Sequence, residues 1–183
     1  MSNLSSSYAD ALFEIAMEEN ILEEILTQSQ VVIQVLADNP DFIKLLGAPM
    51  ISKEEKTGFV DSVFAQKINK NLLNFIKVMI QRKDAAILTE SFVEYEKLYN
   101  RHFNIEKAVA VTAVPMSREL QAKLTEKLEK TTGKKILLTN RVDPACLGGV
   151  ILQFSDMQIN DSIAQKLETL KNQLKYKSVK PKS

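Results

Sequence analysis

The chain has 183 residues, 45% of them hydrophobic and 26% charged, which is enough apolar material for one mid-sized domain or two small ones. Its longest apolar runs are a few residues, far short of the roughly 20 needed to span a membrane, and a single cysteine, Cys146, excludes an internal disulfide. The net charge of +1 conceals an inversion: residues 1–104 hold 10 Lys/Arg against 15 Asp/Glu, and residues 105–183 hold 14 against 8.

The N-terminal "MSNLSSSYADALFEIA" has neither the basic start and long apolar run of an export signal nor the arginines of a transit peptide, so a cytosolic setting is expected. Ser5, Ser6 and Ser7 offer N-cap hydroxyls for a first helix, "YADALFEIAMEE". A second helical pattern, "ILEEILTQSQVVIQVLA", stops at "DNP", where Asn39 can cap and Pro40 can begin a short third helix ending near Leu46. Ser52 and Glu55 have the spacing of a capping box and open a fourth. "NKNLLNFIKVMIQR" and "DAAILTESFVEYEKLYNRHF" supply a fifth and a sixth. Six helices with short connections predict a bundle over residues 1–104.

After Asn104 the pattern changes. "EKAVAVTAV" predicts a strand, and "SRELQAKLTEKLEKTTG" a helix with Leu120, Leu124 and Leu128 on one stripe, stopping at Gly133. "KKILLTNRV", "GGVILQF" and a short "MQI" predict three more strands, the last after a turn at Ser155-Asp156. A final helix is expected from Ser162, with Gln165 completing another capping box, to about Leu174. The fold class is therefore a two-domain chain, an all-α six-helix bundle followed by a small α+β domain over residues 105–176, with a basic tail at 177–183.

Catalytic chemistry finds little to work with. The one histidine, His102, has no recognisable nucleophile or acid as partner, and Cys146 has no second thiol for a metal. "TTGKK" lacks the spacing of a phosphate loop, and Gly148-Gly149 precedes a strand where a nucleotide loop would follow one, so the pair reads as a bend in the sheet. No cofactor is expected. The lysines of the second half are not interleaved with aromatics, which argues against nucleic acid, although a small regulatory or nucleic-acid-binding scaffold stands as the alternative class.

Two helices carry more apolar surface than usual. In the first, Tyr8, Ala9, Ala11, Leu12, Phe13, Ile15, Ala16 and Met17 cover an arc of roughly 240°, leaving Asp10, Glu14 and Glu18 as a polar edge. In the fifth, Leu72, Leu73, Phe75, Ile76, Val78, Met79 and Ile80 cover roughly 220°. Since about 100° suffices for a surface helix, either both helices are enclosed on several sides or each turns a second face outward as a groove for a partner helix.

The C-terminal run Asp143-Pro144, Leu147, Gly148-Gly149-Val150-Ile151, Asp156 and Ile159-Asn160-Asp161-Ser162 resembles the signature of the F-type ATP synthase delta-subunit family, which includes the mitochondrial oligomycin-sensitivity-conferring protein. "SYADALFEIA" is similar to that family's opening. Asn160-Asp161 departs from the family's Asp-Gly, and Ala164 stands where Arg is common. The resemblance implies a non-catalytic stator subunit, one copy per complex, peripheral on the cytoplasmic face of a bacterial cell membrane without inserting into it. It implies that the first and fifth helices grip the N-terminal helix of an alpha subunit, through Tyr8, Ala11, Leu12, Ile15, Phe75, Val78 and Met79. It further implies a contact between the C-terminal domain and the b-subunit coiled coil, for which Leu170, Lys171, Leu174 and Lys175 are the candidates.

Overall fold

The computed structural model describes residues 3–146, 149–154 and 158–160. The chain divides into two compact units, Met1–His102 and Phe103–Ser183. The first contains α1 (Asn3–Glu18), α2 (Leu22–Asp38), α3 (Pro40–Gly47), α4 (Lys53–Phe64), α5 (Lys70–Gln81), a 3-10 turn (Ala85–Ile87) and α6 (Leu88–His102). The second contains β1 (Ile105–Thr112), α7 (Arg118–Thr132), β2 (Lys135–Val142), β3 (Val150–Phe154) and β4 (Gln158–Asn160).

Local chemistry sets several helix ends. Ser52 accepts from the Glu55 amide while the Glu55 side chain accepts from the Ser52 amide, so the expected capping box starts α4. The Ser52 amide and hydroxyl, both donating to Glu55 Oε2, hold the Glu55 carboxyl below its ordinary value. A carboxylate lowered in the folded state stabilises the fold above its unfolded pKa, and that contribution is lost as pH falls through the folded value. Glu55→Gln is therefore expected to flatten the acid limb of a stability–pH curve below about pH 4.5, measured by thermal melts; an unchanged limb would contradict it.

Other ends differ from expectation. Ser5–Ser7 do not cap α1, because the helix begins at Asn3 and carries them inside its first turns. The Ser5 hydroxyl is buried and has no hydrogen-bond partner among the described residues. Asn39 precedes Pro40 as expected, yet its side chain donates backward to the Val35 carbonyl at 2.9 Å and closes α2. The sixth helix starts late, since the chain leaves α5 through Lys83 at φ 67° and makes the 3-10 turn first.

One core fills the helical unit. Leu12, Ile25, Val32, Val60, Leu72, Ile76, Met79, Leu88, Phe92 and Tyr95 are fully enclosed. Burial pushes the Tyr95 phenol up, and its hydroxyl donates to the Leu22 carbonyl at 3.0 Å, tying α6 to α2. His102 stacks edge-on against Phe13, with centroids 5.6 Å apart. α1 lies mainly against α6 and touches α5 only lightly. Among the described residues, that uneven packing leaves the side of α1 next to α5 uncovered.

In the second unit the strand order is β2-β1-β3-β4. β1 and β2 are parallel and joined through α7, whereas β1–β3 and β3–β4 are antiparallel. Ser117 caps α7, and Gly133 closes it at φ 68°, a left-handed conformation open to glycine at no steric cost. Leu124 and Leu128 are half-buried, but Leu120 in the first turn is exposed.

Candidate functional site

The antiparallel run of α1 beside α5 follows from two hydrogen bonds. At the start of α1 the Tyr8 hydroxyl donates to Asp84 Oδ2 at 2.6 Å, just beyond the end of α5. Past the end of α1, Glu19 accepts from Asn71 Nδ2 at 2.7 Å, in the first turn of α5. Between these two ties runs a furrow of about 440 Å³. Leu4, Ser7, Ala11 and Ile15 line it from α1; Asn71, Asn74, Phe75, Val78 and Arg82 line it from α5; Tyr8 lies at its base.

Helical spacing explains the wall. Leu4, Tyr8, Ala11 and Ile15 recur at intervals of three and four, so they form a stripe beside the core stripe of Ala9, Leu12 and Ala16. The Tyr8 ring meets Phe75 edge-on at 6.0 Å, and Phe75 meets Phe92 at 5.8 Å, which anchors the base of the furrow in the core. Burial raises the Tyr8 phenol, the Asp84 carboxylate raises it further, and Arg82 opposes both. The phenol therefore keeps its proton, and its bond to Asp84, throughout the neutral range.

The structure divides the seven groove candidates. Ile15 and Val78 are 44% and 42% exposed and form opposite walls. Ala11 and Phe75 also line the furrow, and Tyr8 borders it although only 8% exposed. Leu12 and Met79, at 1% and 0% exposure, do not reach it; both point into the core. The apolar arcs are thus each split between a buried face and an outward one. Leu4, Ser7, Asn71, Asn74 and Arg82 were not expected. Leu4 lies four residues before Tyr8 on the same stripe, a signal hidden by taking the serines as the helix start; the asparagines and Arg82 are polar and carry no apolar signal.

In the second unit Asp143, Pro144, Ala145 and Cys146 form a turn. Asp143 Oδ1 accepts from the Ala145 amide at 2.9 Å, and the Asp143 carbonyl accepts from the Cys146 amide at 3.0 Å. Cys146 is buried there, and Gly149 enters β3 at φ 83°. Leu147, Gly148, Asp156, Ser162, Leu170, Lys171, Leu174 and Lys175, together with the expected last helix, lie outside the described residues. Among the described residues no group of His, Cys, Asp and Glu converges as a metal site, and no helix is long and apolar enough to cross a membrane.

A family model described as ATP synthase delta (OSCP) subunit matches residues 4–174. Among curated relatives, ATP synthase subunit delta of Alkaliphilus oremlandii is 34% identical, with 93% of this chain and 95% of the relative covered. That of Lactobacillus johnsonii is 33% identical over 93% and 94%. A chain of the Toxoplasma gondii mitochondrial ATP synthase hexamer superposes with a TM-score of 0.71 at 22% identity, covering 94% of this chain and 98% of that one, which shows a shared fold.

Proposed function

Because the chain belongs to the ATP synthase delta (OSCP) subunit family, a peripheral-stalk component of F-type ATP synthase, we propose that it ties the alpha/beta catalytic head to the membrane-anchored b subunits. The observation that carries this reading is the open apolar furrow between α1 and α5, sized for a helix and backed by a rigid aromatic base. Its occupant is the N-terminal helix of an alpha subunit. The b-subunit coiled coil meets the second unit through Leu170, Lys171, Leu174 and Lys175. One copy serves each complex, on the cytoplasmic face of a bacterial membrane and without insertion.

The mechanism is mechanical. Rotation inside the head exerts an equal reaction torque on the outer ring, which turns idly unless tethered. A tether must dissociate slowly, and differences of affinity within one type of interface are expressed mostly in off-rate. Apolar anchors desolvated in a groove provide such slow release, with no reacting group required.

The test has two arms. An alpha-subunit N-terminal peptide should titrate the protein at one-to-one stoichiometry, and absence of binding would refute the groove assignment. Truncation after Leu170 should abolish capture of the soluble part of the b subunits while leaving the peptide bound; full retention of b would refute the second contact.

A further inference from the structure

The furrow is not electrically even. At about 100° per residue, Asp10, Glu14 and Glu18 stack one turn apart along α1, on the outer side of Ala11 and Ile15. All three are exposed, and among the described residues none has an ion-pair partner. The neighbouring Glu19 is engaged by Asn71. The α5 wall answers with neutral amides, Asn71 and Asn74, and carries its one lining cation, Arg82, at the opposite end from Glu18. Residues 1–104 as a whole are acidic, with 15 Asp/Glu against 10 Lys/Arg.

Resting on the groove reading above, we propose that the bound helix carries basic side chains along the flank that faces α1, spaced by one turn to meet Glu14 and Glu18. The same carboxylate row steers its approach. The occupant is an amphipathic helix of about three turns, the length that α5 can support at 1.5 Å per residue. Its apolar stripe enters between Ile15 and Val78, and its basic edge lies over the α1 rim. Because the acidic row runs along only one wall, a helix reversed end to end, or slid half a turn along the furrow, loses the charge match while keeping its apolar stripe between the walls. The rim thus selects register and partner, and the apolar base supplies retention.

The experiment uses the full chain, with the N-terminal peptide of the cognate alpha subunit as probe and dissociation constants measured across a range of salt. Glu14→Gln with Glu18→Gln should raise the constant about three- to tenfold at low salt, as expected for two solvent-exposed pairs. It should also remove most of the salt dependence and slow association. Both residues are exposed, so the melting temperature should hold. Equal or tighter binding by the double variant would overturn the proposal. The two readings fail separately: Ile15→Asp with undiminished affinity sinks the groove itself, whereas a silent Gln pair beside a disabling Ile15→Asp sinks only the basic flank.

Discussion

Val78→Asp and Ile15→Asp are each expected to raise the dissociation constant for the alpha N-terminal peptide by about a hundredfold or more, with the melting temperature nearly unchanged. Each side chain is close to half exposed in the free protein, so a carboxylate there remains hydrated and the bundle is undisturbed. In the complex the same carboxylate would be enclosed against an apolar helix face without a partner. Stranding it there costs about 3 kcal/mol or more, and 1.4 kcal/mol is a tenfold change in affinity. Calorimetric titration beside a melt separates the two effects. Tyr8→Asp is a poorer probe, because Tyr8 is almost enclosed and its hydroxyl faces Asp84, so a second carboxylate there would damage the fold.

Leu12→Ala should show the reverse signature. Leu12 fits between α1 and the rest of the core with essentially no exposure, and truncating such a leucine costs about 2–5 kcal/mol. In a unit of this size that lowers the melting point by roughly ten degrees or more. The folded fraction should bind the peptide nearly as tightly as wild type, because Leu12 does not line the furrow. Met79→Ala, equally enclosed on α5, should behave alike. Loss of binding at an unchanged melting temperature would place these residues in the groove after all.

The contrast between Leu12 and Ile15 marks the limit of what the residues alone disclose. Periodicity gave the width of the apolar arcs on the first and fifth helices, but a wheel carries no record of what lies against each sector. Ala9 and Ala11 are chemically identical; one is sealed and the other lines the furrow, because α6 covers the first side of α1 and none of the described residues covers the second. The Tyr8–Asp84 bond spans 76 positions and has no local signal. Short-range chemistry was legible: the Ser52/Glu55 box and the Gly133 stop are each set by residues within one turn. Ser5–Ser7 failed as caps because the helix already begins at Asn3 and carries all three inside its first turns, where Ser5 is buried.

The sheet was legible for a similar reason. The continuous apolar run Ala108–Val111 in β1 and the Asp143-Pro144 turn before Gly149 mark the strands locally. Pairing order was not, since the parallel β1–β2 ladder depends on the path of the chain through α7.

Thiol labelling at Val78→Cys tests the central claim most directly, because it reports the cover on one groove wall and nothing else. The native Cys146 is buried and contributes a slow background. Saturating alpha N-terminal peptide should slow modification of the new cysteine at least about tenfold, as expected for a side chain at the desolvated centre of an interface, while a control at Val31→Cys, exposed on α2, keeps its rate. Equal rates at position 78 with and without bound peptide would mean that the furrow between α1 and α5 is not where the alpha subunit is held.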